Sequence, residues 1–400
     1  MRISKSLWGI PLGISLLCPM SGMCASGELN FHRVSFADDS NGIALGTTDE
    51  SSFVLVSNDG GKGWHTVYES PIVLKAAILE NAFSGWVVGD GGLILRTADG
   101  GHSWSKVKSG IGQNINQVTI GQGGKLFVVA NGGILLTSVD RGQTWKEQLL
   151  NGGRDLLHIA VLKSGRIIIL ARDRLLISDD GGMGWQAQST VRWTTLDRLG
   201  FSDDEVGLLS GGVLAATSDA GKTVNWVNIH TDERVGPVTV TGENTAFLLL
   251  SEAKTGSLIH VSGEKLSSSS TILQTDDRGV HWKRVFHLSD GNTLGASLED
   301  MFWNNQKHGW AVGEAGLITM TDDGGHTWNV CRLTTEQGQQ DASTKIQRRQ
   351  WEAICGGLSS ADVSSASLPV KSAVEYGVQN SLAEDTHVHE SGHVDPPKQQ

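Results

Sequence analysis

Short apolar runs, divided by glycines and polar residues, recur along most of this chain. Residues 85–89 read GWVVG, glycines follow at positions 91 and 92, and residues 93–97 read LILRT. Short runs rich in apolar residues and divided by Gly-Gly turns are typical of antiparallel β-hairpins and not of amphipathic helices. The pattern therefore predicts a chain built of short β-strands.

A second pattern occurs seven times: Ser or Thr, any residue, Asp, any residue, Gly, and usually Trp three positions later. The aspartates are Asp59, Asp99, Asp140, Asp180, Asp219, Asp277 and Asp323, with spacings of 40, 41, 40, 39, 58 and 46 residues. A period near 40 residues in a strand-rich chain is that of a propeller blade. We therefore predict an all-β, seven-bladed β-propeller with four antiparallel strands in each blade and the repeated turn between strands three and four.

The residue types of this turn have a structural explanation. Asp and Ser or Thr side chains can hydrogen-bond the turn backbone, Gly supplies a positive φ, and a large ring can cover the end of the hairpin. We therefore expect the seven aspartates to be structural. The same expectation applies to Trp64, Trp104, Trp145, Trp185, Trp226, Trp282 and Trp328.

The repeated turn resembles the Asp-box, or BNR, repeat of sialidases. Longer copies, GWVVGDGGLILRTADGGHSW in the second blade and GWAVGEAGLITMTDDGGHTW in the seventh, resemble the photosystem II stability and assembly factor family of propellers. The resemblance covers residues 31 to about 333. It implies a non-enzymatic scaffold that acts like a chaperone, binds other proteins and needs no cofactor.

Three segments are expected along the chain. Basic residues Arg2 and Lys5, a mostly apolar stretch at 7–17 and small residues at 22–27 predict a signal peptide over residues 1–25. The propeller should follow at 28–333. Residues 334–400 are poor in aromatic residues and are expected to be a largely disordered tail. We therefore predict an exported protein, periplasmic or lumenal in a photosynthetic host, with secretion as the alternative.

The strand count also predicts how the ring closes. Residues 31–36 should form the innermost strand of blade one and residues 328–332 the outermost strand of blade seven, so that no strand from the end of the chain is needed. Cys331 and Cys355 remain after signal cleavage. In an oxidising compartment we expect them to be bridged, the alternative being a free thiol in the tail.

Charge and composition exclude several partners. The chain carries a net charge of -11, without the basic excess expected of a nucleic-acid binder. His387, His389 and His393 near the end of the chain could attract a metal, but they lie outside the expected folded frame, and we predict no specific metal site.

An insertion points to one face of the propeller. Blade six has extra residues between its second and third strands, around 251–270, and extra length in a repeat array often maps to the binding face. Predicted binding residues on this face are Asp90, Asn131, Arg172, Arg174 and Glu314, together with Lys254 and Lys265 of the insertion. A flexible insertion without a role, and a solvated arginine cluster, are the alternatives. The expected partner of this monomer is a protein, and a membrane or envelope complex in particular.

An enzyme is the competing hypothesis, because Asp-box propellers include glycosidases. A sialidase needs a Tyr nucleophile, an acidic residue beside it and arginines that hold the substrate carboxylate. Of the two tyrosines, Tyr68 falls on the predicted outermost strand of blade one and Tyr376 in the tail. We therefore predict no catalytic residues. A carbohydrate-binding or glycoside-hydrolysing BNR-repeat protein remains the alternative.

Overall fold

Seven antiparallel blades follow one another along the chain. The computed structural model describes residues 29–189, 195–229, 231, 233–251, 269–288, 296–335 and 350–357. Each blade runs from an innermost to an outermost strand in chain order, and each strand pairs with the next. The predicted all-β, seven-bladed propeller is confirmed.

The strands of the first four blades have the following bounds. Blade one contains β1 (Asn30–Phe36), β2 (Gly42–Thr47), β3 (Ser52–Ser57) and β4 (Gly63–Ser70). Blade two contains β5 (Leu74–Leu79), β6 (Gly85–Gly89), β7 (Ile94–Thr97) and β8 (Ser105–Val107). Blade three contains β9 (Ile115–Ile120), β10 (Leu126–Ala130), β11 (Ile134–Ser138) and β12 (Lys146–Leu149). Blade four contains β13 (Leu156–Val161), β14 (Ile167–Ala171), β15 (Arg174–Ser178) and β16 (Gln186–Ser189).

The remaining blades complete the ring. Blade five contains β17 (Arg198–Phe201), β18 (Gly207–Ser210), β19 (Leu214–Thr217) and β20 (Asn225–Val227). Blade six contains β21 (Arg234–Val240), β22 (Ala246–Ser251), β23 (Ser270–Thr275) and β24 (Lys283–Leu288). Blade seven contains β25 (Leu298–Trp303), β26 (Gly309–Gly313), β27 (Leu317–Thr321) and β28 (Asn329–Thr335), and β29 (Gln350–Gly357) follows it.

The core is divided among the junctions between blades. Seven clusters of buried apolar residues occur, and each draws its members from two neighbouring blades. The second strands are buried on both faces, and β6, β10 and β14 are buried along their whole length. Because no blade could bury these strands alone, the blades stabilise one another as repeat units do.

Ring closure differs from the prediction. We predicted that no strand from the end of the chain takes part, and this is wrong. β29 pairs antiparallel with β28 along its length and with the start of β4, where Trp351 lies opposite Trp64. Blades one and seven thereby become a single nine-stranded sheet.

The reason for the extra strand is the chain path. The chain itself connects blade one to blade two and so on to blade seven, but it does not connect blade seven to blade one. The outer edges of β28 and β4 would otherwise present unpaired backbone groups at this junction. Pairing with β29 satisfies them, so the folded sheet extends beyond residue 333.

Some predicted segments lie outside the described residues. These are the signal peptide, most of the blade-six insertion and the tail from residue 358. The insertion does fall between β22 and β23, where it was predicted. Across the described ranges, none of the helical segments is long and apolar enough to cross a bilayer.

Candidate functional site

The innermost strands of all blades begin on the same face of the propeller. In each blade the start of the innermost strand pairs with the end of the second strand, as Asn30 pairs with Thr47 and Leu298 with Gly313. This face therefore also carries the connections between the second and third strands. We call it the channel-mouth face, and we call the opposite face, with the turns between strands three and four, the Asp-box face.

A β-bulge recurs near the start of six of the seven innermost strands. Opposite the regular second strand, the register skips the following residues: His32, Lys75, Asn116, Leu157, the Gly236–Pro237 pair and Glu299. Bulges re-aim side chains and are frequent beside functional sites. All of these residues line cavities at the mouth of the central channel.

The cavities form two lobes that share one wall. The larger lobe has a volume of about 390 Å³ and extends over blades one to five, with Lys75, Asn116 and Leu157 in its lining. The smaller lobe, of about 100 Å³, extends over blades five, six, seven and one. Residues common to both lobes are His32, Arg33, Asp197 and Arg198. The larger lobe is within the size range of ligand pockets, which is about 300–1,000 Å³.

Arg33 and Arg198 are the dominant charges of this shared wall. Burial, and then repulsion from Arg198, lower the pKa of Arg33 to about 10, so the Arg33 guanidinium is charged at neutral pH. Beneath them, the Asp300 carboxylate accepts a hydrogen bond of 3.1 Å from the Val34 amide. Burial raises the pKa of Asp300, while the two arginines act in the opposite direction.

Two histidines in the channel are held neutral. His32 Nε2 bonds the Leu74 carbonyl oxygen at 2.8 Å, and burial followed by repulsion from Arg33 lowers its pKa to about 4. Burial, and then Arg198 and Arg33, also lower the pKa of His158 well below its usual value. His158 Nδ1 is buried without a hydrogen-bond partner. Neither histidine adds a positive charge at neutral pH.

Two of the predicted binding residues lie beside the larger lobe. Asp90 forms an ion pair of 2.8 Å with Lys75, and Asn131 Oδ1 accepts a hydrogen bond of 2.7 Å from Asn116 Nδ2. Both therefore orient side chains that line the channel mouth. Glu314, in the corresponding turn of blade seven, accepts a hydrogen bond of 2.9 Å from Ser297 Oγ.

The arginines predicted to form a positive spot in blade four are paired with carboxylates. Arg172 lies 3.4 Å from an Asp155 oxygen, and Arg174 lies 2.8 Å from an Asp173 oxygen that also contacts Arg154. These aspartates neutralise most of the expected excess of positive charge. Lys254 and Lys265 lie outside the described residues.

The channel-mouth face also contains a contact between blades that the sequence analysis missed. In one blade, the turn after the second strand has a middle residue whose backbone amide is the donor. The acceptor is an Asn or Asp side chain in the next blade, just before its innermost strand or at the start of that strand. The pairs are Gly91 with Asn114, Gly132 with Asp155 and Ala315 with Asn30, at 2.9 to 3.0 Å. The available signal was an Asn or Asp directly before β9 and β13 and at the first position of β1.

The seven repeated turns on the Asp-box face are nearly identical. In each, the Ser or Thr hydroxyl donates to the Asp, the Gly amide donates to that hydroxyl, and the amide four residues after the Asp donates to the Asp. In blade two, Asp99 accepts bonds of 2.9 and 2.6 Å from the Ser103 amide and hydroxyl. These bonds lower the pKa of Asp99 to about 2.

One predicted packing tryptophan departs from the pattern. Trp64, Trp282 and Trp328 are buried, but Trp226 in blade five is 52% exposed. Its turn is two residues longer, and Val224 stands seven positions after Thr217, where the other turns have Trp. Val224 packs against the core cluster between blades four and five. The smaller side chain thus takes the place predicted for Trp226.

Cys331 is disulfide-bonded in the structure. Its position on β28 is directly opposite Cys355 on β29. Opposite residues of an antiparallel pair have Cα atoms about 4.5 to 5.5 Å apart, within the span of a disulfide. This register supports the predicted Cys331–Cys355 bridge, which would tie β29 to blade seven.

Two observations bear on metal binding and on the competing enzyme hypothesis. No group of three or more His, Cys, Asp or Glu side chains there could hold a metal ion. Tyr68 lies on β4, the outermost strand of blade one, and is not among the residues that line the channel mouth.

Comparisons with known proteins agree with this architecture. A sequence profile of the photosynthesis system II assembly factor YCF48 family matches residues 25–152. A comparison with proteins of curated function gives no match.

Solved structures share the fold at low sequence identity. YCF48 bound to a D1 peptide is 17% identical, with a TM-score of 0.57 over 74% of this chain and 94% of that chain. YCF48 from Cyanidioschyzon merolae is 16% identical, with a TM-score of 0.54 over 74% of this chain and 96% of that chain. An ancestral GH74 enzyme is 11% identical, with a TM-score of 0.57 over 82% of this chain and 49% of that chain. The profile match and the shared propeller together show that this chain resembles the photosystem II assembly factor family of Asp-box propellers.

Proposed function

We propose that this protein is an exported, non-enzymatic scaffold that binds a segment of another protein on its channel-mouth face and assists the assembly or stability of a membrane or envelope complex. The ring of bulged residues carries the proposal. It places residues from six blades along the two adjoining lobes, whereas the residues of the Asp-box face are used repeatedly for turn structure.

The comparisons support a protein ligand over a glycoside. The matching family profile is that of an assembly factor, and one structure with the same fold was solved with a peptide of its partner. In a photosynthetic host, photosystem II would be the complex to test first. The GH74 similarity at 11% identity concerns the fold alone.

The size of the site fits this proposal. A lobe of about 390 Å³ cannot receive a folded domain, but it can receive the end of a chain or a short loop. The blade-six insertion leaves β22 on the same face and could add contacts around such a segment. The binding roles of the residues predicted from the sequence remain proposals; these are Asp90, Asn131, Arg172, Arg174, Glu314, Lys254 and Lys265.

The test is capture of membrane-complex subunits from a native envelope extract. Leu157→Arg places a long cation in the larger lobe, and Met183→Arg places the same cation on the Asp-box face, where Met183 is 81% exposed. We expect Leu157→Arg to lose the subunits that the unmodified protein and Met183→Arg retain. Equal capture by both variants would contradict the proposed face. Sustained turnover of a glycoside, abolished by a substitution in the channel, would overturn the non-enzymatic function.

A further inference from the structure

The two guanidiniums at the shared wall have hydrogen-bonding capacity beyond their described partners. Arg33 Nη1 donates to the neighbouring His32 carbonyl oxygen at 2.7 Å, and Arg198 Nη1 donates to the Asp197 carbonyl oxygen at 3.2 Å. A guanidinium has five N–H donors in a planar fork. Each of these backbone bonds uses one donor of its guanidinium, and both arginines line the cavity.

The balance of charge in the larger lobe is positive, although the whole chain is acidic. Its lining contains Arg33, Lys75 and Arg198 against a single acid, Asp197. Asp90 pairs with Lys75, and Asp197 lies 3.8 Å from Arg198. Asp300, Asp197 and Glu299 attract Arg33, but its largest interaction with another charge is repulsion from Arg198. An anion between the two guanidiniums would relieve that repulsion.

Resting on the proposed function, we propose that Arg33 and Arg198 together bind a carboxylate group of the captured segment at the mouth of the channel. Planar, bidentate donors match a carboxylate in geometry as well as in charge. Asp197 and the buried Asp300 lie close by, so a singly charged carboxylate fits better than a doubly charged phosphate. The carboxylate belongs either to a chain terminus or to an Asp or Glu side chain.

Small probes distinguish these two sources in the full folded protein. N-acetylglycine presents a terminal carboxylate. The α-amide of N-acetylglutamic acid presents only a side-chain carboxylate, and N-acetylglycinamide presents none. The measurement is the chemical shift of the arginine Nε–Hε groups during each titration at constant ionic strength. We expect saturable shifts of the Arg33 and Arg198 signals with one or both carboxylates, and none with the amide.

Substitutions then test which arginines act. Arg198→Gln should weaken carboxylate binding roughly tenfold, as expected for the loss of one charge-assisted hydrogen bond. Arg166→Gln, which removes an arginine already paired with Asp179, should leave it unchanged. No saturable shift in the unmodified protein, or equal responses to N-acetylglycine and N-acetylglycinamide, would overturn the proposal. If the protein captures envelope subunits but its arginine signals do not respond to the carboxylates, the carboxylate site is rejected and the scaffold function is not. If the protein binds the carboxylates but captures no subunits, the scaffold function is rejected and the carboxylate site is not.

Discussion

The indole Nε1 of Trp310 in blade seven donates a hydrogen bond of 2.8 Å to the carbonyl oxygen of Gly60 in the Asp-box turn of blade one. The same indole stacks on Phe36, with ring centroids 3.7 Å apart and planes 10° from parallel. Phe36 in turn meets Trp64 edge-on. Aromatic packing therefore closes the only junction between consecutive blades that the chain does not connect, and β29 covers its outer edge.

Removal of β29 should loosen this junction. A chain ending at Thr335 loses the strand that joins β28 to β4, so their backbone amides should exchange with solvent faster than those of blades three and four. A chain ending at Gly357 keeps β29 and is the matched control. Hydrogen exchange followed by mass spectrometry gives the comparison. Equal protection of β4 and β28 in both truncated proteins would contradict a role for β29 in closure.

The Cys331–Cys355 bridge should appear as a linked peptide in a non-reducing digest. Its loss in Cys355→Ser should lower the free energy of unfolding by about 2–4 kcal/mol, because the unfolded chain is no longer constrained. The effect should vanish when both proteins are measured with reductant. A disulfide between Cys331 and another cysteine would show that the register does not determine the pairing.

Two adjacent aspartates in the Asp-box turn of blade seven allow the effect of losing the turn hydrogen bonds to be distinguished from the effect of losing a negative charge. Asp323 accepts bonds of 2.9 and 2.6 Å from the Thr327 amide and hydroxyl. Asp323→Ala should therefore destabilise the protein by about 1–2 kcal/mol in a urea titration. Asp322→Ala removes the same charge from the neighbouring position and should change stability by less than about 0.5 kcal/mol. If only Asp323→Ala lost envelope partners while stability stayed unchanged, the turns would be binding sites.

Stability should fall between pH 6.5 and pH 4 in a way that depends on His32. Its pKa is lowered from 6.5 to about 4 by burial, by Arg33 and by Arg198, against the hydrogen bond to Leu74. Above pH 6.5 the neutral His32 makes its full contribution to the free energy of unfolding. This contribution is lost as the pH falls towards 4, because His32 of the unfolded chain binds a proton before His32 of the folded protein does. His32→Gln should reduce this loss by roughly 3 kcal/mol.

Urea midpoints from pH 4 to pH 8 give the measurement. His158 and Asp300 titrate in both proteins, so the difference between the two curves reports His32. Parallel curves would show that His32 is not kept neutral by the fold.

Shortening residues 252–269 to a two-residue turn should leave the propeller folded and weaken partner capture. The cut lies between β22 and β23, which pair directly from Ser251 and Ser270 onward, so a tight turn can join them. A matched insertion of equal length in the Asp-box face, at the exposed Met183, should not affect capture. Retained capture by the shortened protein would show that the insertion is not needed for binding.

Local sequence determined the blades. Apolar runs and glycine turns form hairpins from contacts a few residues apart, so the second strand of blade two was placed at Gly85–Gly89 without knowledge of the rest. The bonds of the Asp-box also lie within eight residues of one another. Where local spacing changed, as before Trp226, the expected packing failed because Val224 reached the core position first.

Tertiary structure decided the site and the closure. Arg33 and Arg198 come from blades one and five and meet only because the ring brings their strands to one channel. The neutralisation of Arg172 by Asp155, across a turn, also depends on where each side chain points after folding. From the sequence, the residues of β29 belong to the tail, because few of them are apolar and they cannot form a core alone. In the folded protein, β29 pairs because the edge strands β28 and β4 have backbone groups that need hydrogen-bond partners.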